Sequence, residues 1–247
     1  MHQRGFTLIE LSIVLVIIGL IVGGVLVGQD LIKAAKVRAQ ISQIESTKAA
    51  LQTFRLKYNG MPGDLKAAQA SSFGMVTRSG AAGNGNGDKI IQRANGSCSS
   101  WTDGENALFW ADLSFAGLVG MTSTFNGTTP LTDPVSSYLL ESPINNAHLS
   151  VQCRSTEPGK NFFVLMKTTF SSGVVNLFDN MMSPIEALSI DSKLDDGNGF
   201  SGKVRGINYD GSSFIWSGGS DCVTGGNYNV SGAAGGDNVV CGLRFEF

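Results

Sequence analysis

The sequence predicts an α+β protein in which the distal half of one long N-terminal helix packs on a globular head with an antiparallel β-sheet. An apolar run from Phe6 to Val27 is followed, without a proline, by an amphipathic stripe that ends near Tyr58. In the rest of the chain, helical patterns lie early and most strand candidates lie late. This separation favours an α+β arrangement over alternating βαβ units.

The apolar run is long enough to cross a bilayer, since a spanning helix needs about 20 apolar residues. Glu10 lies inside it. A carboxylate in a membrane-spanning helix costs on the order of 2.5–3.5 kcal/mol, so such residues usually have a partner or a function. A cleaved secretory signal peptide has a shorter apolar stretch and a small-residue cleavage site after it, and this run has neither. We therefore expect a retained anchor, with an ordinary signal anchor as the alternative.

The second half of the predicted helix is amphipathic. Gly60 and Pro62 form a helix stop after Tyr58. These features divide the chain into a membrane-spanning segment at 6–28, an amphipathic segment at 29–58 and a globular α+β head at 59–247. Apart from a gap near Lys48, apolar residues recur at steps of three and four, as on a helix that buries one face: Val37, Ile41, Ile44, Leu51, Phe54 and Tyr58.

The head is predicted to contain short helices and five strands. The range Glu105–Ala116 has the apolar face of a short helix. A capping box at Ser183–Glu186, with proline at the first helical position, starts another helix that reaches about Leu194. Alternating glycines between Gly83 and Gly87 predict a flexible loop. The strand candidates are Leu149–Cys153, Phe162–Thr168, Lys203–Ile207, Ser213–Trp216 and Val239–Phe245.

Composition indicates an exported protein. The chain has 18 basic and 20 acidic side chains, so its net charge of −2 gives no indication of nucleic-acid binding. The four cysteines, Cys98, Cys153, Cys222 and Cys241, all follow the apolar run. An even number of cysteines on the exported side of a membrane predicts two disulfides, for which three pairings are possible.

We do not expect an enzyme. The sequence contains no G-x-S-x-G, H-E-x-x-H or phosphate-binding loop motif. His148 borders a strand candidate, where a structural or surface role is the more common one. Pairing of the cysteines would also remove any thiol nucleophile.

Residues 4–10 follow a specific pattern. Arg4 and Gly5 end a short basic leader, Phe6 follows the glycine, and Glu10 is the fifth residue after it. In this pattern the chain resembles type IV prepilins and type II secretion pseudopilins. The resemblance implies that residues 1–5 are a leader, that a prepilin peptidase cuts between Gly5 and Phe6, and that the new amine of Phe6 is methylated. It also implies a role for Glu10 in filament assembly.

The resemblance implies that the chain is a structural subunit of a type IV pilus-like filament. Its expected partners are other pilins, the prepilin peptidase, and an inner-membrane assembly platform with its ATPase. The expected location is the bacterial inner membrane, crossed once, and then an extracellular pilus or a periplasmic pseudopilus. Two alternatives stay open: a type II secretion pseudopilin, or a minor tip pilin with an adhesive or DNA-binding role. Nucleic acid is expected as a partner only in DNA uptake.

Proximity in the sequence and the resemblance together favour one disulfide pairing. Type IV pilins often close a C-terminal loop with a disulfide, which corresponds here to Cys222–Cys241 around a glycine-rich stretch. The second pair is then Cys98–Cys153.

Two oxygen-rich stretches are candidate cation sites, although no cofactor is required by the predicted function. Asp191, Asp195 and Asp196 lie near a predicted helix C-terminus, where negative charge opposes the helix dipole. Some members of the resembled family bind calcium in a head loop, so calcium is one explanation and an Asp-Gly turn is the other. The second stretch has Asn84, Asn86 and Asp88 at calcium-loop spacing but lacks the glycine and glutamate of such a loop.

Overall fold

The structure, a computed structural model, describes residues 8–76, 78, 85–93, 96–98, 101–123, 125, 135–171, 174–209, 214–215, 221–231 and 238–247. The predicted α+β class is confirmed, with one long N-terminal helix followed by a globular part that contains an antiparallel sheet. The helices are α1 (Leu8–Tyr58), α2 (Ala67–Ser72), α3 (Glu105–Phe115) and α4 (Pro184–Leu194). The strands are β1 (Trp101–Thr102), β2 (Leu140–Glu141), β3 (His148–Cys153), β4 (Asn161–Ser171), β5 (Val174–Asp179), β6 (Val204–Tyr209), β7 (Phe214–Ile215), β8 (Val223–Thr224), β9 (Asn227–Tyr228) and β10 (Gly242–Glu246).

Helix α1 has 51 residues, which corresponds to about 76 Å at 1.5 Å per residue. Its side chains are exposed from Leu8 to Lys36, apart from half-buried Gly28, and burial begins at Val37. Within the described ranges, α1 is the one helix long and apolar enough to cross a membrane. The predicted start at Phe6 lies outside the described residues, whereas the predicted end at Tyr58 agrees with the structure.

The buried stripe of α1 includes polar residues that the apolar pattern did not contain. Thr47 is buried and fills the gap near Lys48, and Gln40 is buried about two turns earlier. The hydroxyl of Thr47 donates to the backbone carbonyl of Gln43 (2.7 Å), and the side-chain oxygen of Gln40 accepts from Ser142 Oγ (2.6 Å). Because both side chains have hydrogen-bond partners, they can be buried at little cost.

Strand β4 is the centre of the sheet. The strand order is β1-β5-β4-β10-β6-β7, and β3 also pairs with β4 and carries β2 on its far side. Leu165 of β4 lies opposite Leu149 of β3 on one edge and Leu243 of β10 on the other. After an irregularity between Lys167 and Thr168, the second half of β4 pairs with β5. Strands β8 and β9 form a separate hairpin.

Some strand boundaries in the structure differ from those predicted from the sequence. Strand β6 begins and ends later than predicted, at Val204 and Tyr209. The strand predicted from Val239 begins at Gly242 instead, and Cys241 just before it forms an isolated bridge with Met182. Strand β5 was not predicted; its sequence has two apolar residues followed by one polar residue, twice, and so lacks the strict alternation of a half-buried strand.

One hydrophobic core joins α1, α3, α4 and one face of the sheet. Helix α3 contacts both α1 and β3, and α4 contacts both α1 and β6. The ring of Phe163 on β4 lies 5.9 Å from Phe109 of α3 and 4.1 Å from Phe247, measured between centroids. Each fully buried large apolar side chain contributes about 1.5–3 kcal/mol relative to exposure, and the largest of them include Ile44, Leu51, Phe54, Leu108, Phe109, Phe163 and Phe245.

Two disulfides connect distant parts of the head. Cys98 is joined to Cys153 at the end of β3, and Cys222 is joined to Cys241 just before β10. These are the pairs favoured by the sequence analysis. The first closes a separation of 55 residues and the second one of 19 residues.

Candidate functional site

The N-terminal half of α1 presents an apolar surface that the head does not cover. The apolar window of this helix has none of its residues buried within the chain, and Glu10 is exposed in the first described turn. A buried core helix of a soluble protein would have its apolar face covered by its own chain. This half of α1 therefore needs lipid or another subunit to cover it. Gly5 and Phe6, the predicted cleavage and methylation positions, lie outside the described residues.

The three aspartates singled out from the sequence come together where α4 ends. Oxygen atoms of Asp191, Asp195 and Asp196 all lie within 4.8 Å of one another. Asp191 is buried in the last turn of α4, and its carboxylate accepts from the hydroxyl of Tyr228 (2.7 Å) and from the backbone N–H of Gly197 (3.2 Å). Burial, with smaller effects from the neighbouring carboxylates, raises the pKa of Asp191 to about 6.

The other two aspartates cap the turn that follows α4. Asp195 Oδ2 accepts from the backbone N–H groups of Lys203 and Val204. Asp196 accepts from the N–H of Asn198 (2.9 Å) and from the hydroxyl of Ser201 (2.7 Å). These donors offset negative charge at the helix C-terminus, as the Asp-Gly turn interpretation requires. The three carboxylates are also suitable ligands for calcium, which prefers carboxylate oxygens. Each carboxylate has acceptor positions beyond those used by its hydrogen bonds.

Comparison with known proteins identifies the N-terminus. Residues 1–26 match the family model of the prokaryotic N-terminal methylation motif. This chain has the N-terminus of a type IV prepilin or pseudopilin. No curated protein and no solved structure gives a significant match to the chain.

The head contains a buried carboxylate that was not predicted from the sequence. Glu105, the first residue of α3, is fully buried. Its Oε1 accepts from the backbone N–H groups of Gly85 (2.8 Å) and Asn86 (3.3 Å), and its Oε2 accepts from that of Gln92 (2.9 Å). Burial raises the pKa of Glu105 to about 7, although the three N–H donors oppose that rise.

Asp64 also accepts hydrogen bonds from the backbone of this loop. Its two oxygens accept from the backbone N–H groups of Gly87 and Lys89, each at 2.6 Å. The side-chain oxygen of Asn161 accepts from the N–H of Ile91 (2.8 Å). Burial raises the pKa of Asp64 as well. The sequence predicted a flexible loop at 83–87. In the described part of the chain these side chains hold the backbone from residue 85 to 92, so the prediction of flexibility is corrected for residues 85–87.

The second candidate calcium stretch lies in this loop, and its described part forms turns. The N–H of Asp88 donates to the side-chain oxygen of Asn86 (2.8 Å), and Asp88 Oδ1 accepts from the N–H of Ile90 (2.7 Å). The amide nitrogen of Asn86 also donates to Asp88 Oδ2 (2.9 Å). The remaining position of that stretch, Asn84, lies outside the described residues.

A buried ion pair joins the turn after α1 to α3. The guanidinium of Arg78 contacts both carboxylate oxygens of Asp112, at 2.7 and 2.6 Å, and donates to the carbonyl of Gly63 (3.0 Å). The N–H of Gly63 donates to the same carboxylate (2.6 Å). Gly63 has a φ of +83°, a conformation that glycine adopts without strain. The pair thus fixes the geometry of the turn at the end of α1.

His148 has a structural role consistent with its position in β3. Its Nδ1 lies 2.6 Å from the hydroxyl of Thr168 on the neighbouring strand β4. Burial lowers the pKa of this half-buried imidazole.

Proposed function

We propose that the chain is a structural subunit of a type IV pilus-like filament. In this proposal the prepilin peptidase cuts between Gly5 and Phe6 and methylates the new amine of Phe6. The mature protein then stays in the inner membrane, which α1 crosses once. The assembly platform and its ATPase add it from there to a filament of pilins. Its head lies outside the cytoplasm throughout, in an environment in which the two disulfides are stable.

The observation that carries this proposal is the uncovered half of α1. From Leu8 to Tyr58 the helix is continuous. Its first half is apolar and exposed, and its second half packs on the head. A subunit of this shape can exchange the lipid around its apolar half for the apolar halves of neighbouring subunits. Repetition of one such head-to-tail contact produces an open helical filament.

Glu10 gives the assembly step its specificity. Cleavage creates a cationic amine at Phe6, four residues before Glu10. A carboxylate within an apolar layer is unfavourable unless it is paired. Pairing of Glu10 with the amine of a neighbouring subunit therefore favours a subunit that is docked in register.

Two related functions use the same subunit shape. A type II secretion pseudopilin would form a short periplasmic filament that moves exported proteins. A minor tip pilin would place its head at the end of a pilus and bind a surface or DNA. Extracellular filaments with abundant subunits support the pilus assignment, whereas loss of protein export after gene deletion supports the secretion assignment.

No cation is required for this function. The turn after α4 is held by protein donors, and Asp191, Asp195 and Asp196 are the residues that would hold calcium if the ion binds there.

The test combines three variants expressed as the sole copy of the gene. Gly5→Val is expected to leave an uncut, unmethylated precursor in the membrane, as measured by the mass of the N-terminal peptide. Glu10→Val is expected to insert and be cut normally but to give few filaments in sheared fractions. Ser12→Ala, which removes another polar side chain from the exposed half of α1, is expected to assemble like the parent.

Normal filament yield from Glu10→Val would contradict the role of the carboxylate. Normal cleavage of Gly5→Val would contradict the processing step. A chain that is recovered without membrane association would contradict the proposal as a whole.

A further inference from the structure

A cleft lies where the head meets the end of the membrane-spanning half of α1. Its volume is about 460 Å³, within the range of small-molecule sites. One wall is the α1 segment from Ile32 to Arg38, and the other is formed by α4 together with Asn145 and Val239. The part of the chain described here offers apolar side chains inside this cleft, among them Val37, Ile185 and Val239.

The rim of the cleft is basic. Lys33, Lys36, Arg38 and Lys193 line it, and Glu186 is the acidic residue among the lining side chains, so the lining has a net charge of +3. The carboxylate of Glu186 already accepts from the N–H (2.9 Å) and the hydroxyl (3.1 Å) of Ser183. The cleft therefore combines apolar walls with an excess of positive charge.

Along α1 the cleft lies at, and just beyond, the level of the lipid headgroups. A hydrocarbon core about 30 Å thick takes about 20 helical residues, which puts its outer boundary near Val27 when Leu8 lies at the inner one. The headgroup layer adds roughly 5–8 Å. At 1.5 Å per residue, Lys33 and Lys36 lie roughly 9 and 14 Å beyond Val27. Helical side chains lean towards the N-terminus, and lysine extends its amine towards the interface, so these amines reach the headgroup layer.

We propose that this cleft binds the headgroup of an anionic phospholipid of the outer leaflet, with the phosphate at the basic rim and the glycerol end against the apolar walls. The proposal rests on the proposed function in one respect, since it needs α1 to be inserted with the head outside the cytoplasm. The net positive charge of the lining favours an anionic ligand, and the place of the cleft beside the apolar, uncovered half of α1 makes a lipid headgroup the anion nearest to it.

The bound lipid would position the subunit before assembly. A headgroup held between α1 and α4 fixes the height of the head above the membrane. When the subunit leaves the membrane and enters a filament, the lipid must either dissociate or move with the subunit. The cleft thus couples lipid composition to the availability of subunits.

The test measures lipid retained by the full-length protein in a non-ionic detergent. Phosphatidylglycerol and phosphatidylcholine with identical acyl chains are mixed in equal amounts, and protein-bound lipid is quantified by native mass spectrometry. We expect selective retention of phosphatidylglycerol. The variant Lys36→Gln/Arg38→Gln/Lys193→Gln is expected to weaken this retention at least about 10-fold, since each basic residue near an anionic membrane contributes about 5-fold.

A matched variant removes three basic residues far from the membrane. Arg55→Gln/Lys57→Gln/Lys66→Gln changes the chain near and beyond the distal end of α1 and is expected to retain phosphatidylglycerol like the parent. Equal loss in both triple variants, or equal retention of the two lipids by the parent, would overturn the proposal. Displacement of the lipid by millimolar inorganic phosphate would show a simple anion site and would also overturn it.

Two further outcomes separate this proposal from others. If rim substitution lowers self-association in neutral lipid and leaves lipid selectivity unchanged, the cleft is a contact between subunits, contrary to the proposal. Membrane insertion of every variant is measured in parallel by carbonate extraction. Failure of insertion contradicts the proposed function, whereas normal insertion without lipid selectivity contradicts the lipid site alone.

Discussion

Glu105 and Asp64 show how two buried carboxylates can order a loop that has little apolar content. Together their oxygens accept five backbone N–H groups between Gly85 and Gln92. Hydrogen bonds to an ionised acceptor are roughly twice as strong as neutral ones. Burial opposes ionisation of both groups, so the same residues that order the loop also make it sensitive to pH.

Replacing Glu105 tests the strength of this arrangement. Glu105→Gln places an amide NH₂ beside at least one backbone N–H donor and leaves that donor unsatisfied. We expect the free energy of unfolding to fall by about 1–3 kcal/mol, measured by urea denaturation of the detergent-solubilised protein. Glu45→Gln, at an exposed position of α1, is the control and is expected to change it by less than about 0.5 kcal/mol.

The pH dependence follows from the direction of the pKa shift. The pKa of Glu105 is about 7 in the folded protein against 4.5 for the ordinary group. Between these values the folded state binds more protons than the unfolded state, so the free energy of unfolding decreases as the pH rises from 4.5 to 7. Its contribution to that slope is at most about 1.4 kcal/mol per pH unit. Glu105→Gln should therefore flatten the slope measured for the parent, and an unchanged slope would contradict this assignment.

The aspartate cluster has a separate test at the residue scale. Because Asp195 Oδ2 accepts two backbone N–H groups, Asp195→Asn should lower the melting temperature in the presence of a chelator. The parent should keep its melting temperature when the chelator is added, since protein donors hold the turn. A rise of the parent's melting temperature with calcium but not magnesium, absent in Asp196→Asn, would instead establish a calcium site, because binding to the folded state alone stabilises it.

At the scale of secondary structure, local patterns were predictive where the determinants lie close in sequence. The start of α4 follows from its capping box, in which Ser183 and Glu186 exchange hydrogen bonds within one turn. The role of Thr47 in the α1 stripe could not be predicted, since its burial depends on the head. Asp64 and Glu105 were missed for a similar reason, as their donors lie 13 to 25 residues away.

The capping box gives a prediction at this scale. Ser183→Ala removes the acceptor for the N–H of Glu186 and is expected to cost about 1 kcal/mol of stability, within the range of 0.5–2 kcal/mol for helix caps. Ser46→Ala is the control, because the Ser46 hydroxyl bonds back to a carbonyl of its own helix, and its loss should leave stability nearly unchanged. Equal effects of the two substitutions in thermal unfolding would show that the cap has no special role.

At the scale of the whole molecule, the disulfides restrict the conformations that the unfolded chain can adopt. Closing the separation of 19 residues between Cys222 and Cys241 stabilises by about 3 kcal/mol in the chain-entropy model, and the separation of 55 residues between Cys98 and Cys153 by about 4 kcal/mol. The double variants Cys222→Ser/Cys241→Ser and Cys98→Ser/Cys153→Ser should therefore both unfold at lower urea concentrations. Non-reducing peptide mapping of the parent provides the check, and a cross-pair such as Cys98–Cys222 would contradict the connectivity.

The place of β10 in the sheet has a consequence for the timing of folding. Of the strands that the structure describes, β10 is the last in chain order, and yet it lies between β4 and β6, where it supplies Leu243 and Phe245 to the core. Until the ribosome has added these residues, the sheet has a gap at its middle and cannot close. In the proposed function the head lies outside the cytoplasm, and a head that crosses the membrane during synthesis therefore crosses it as an open chain. If the chain assembles as proposed, a subunit is complete for assembly only after β10 has paired with β4 and β6.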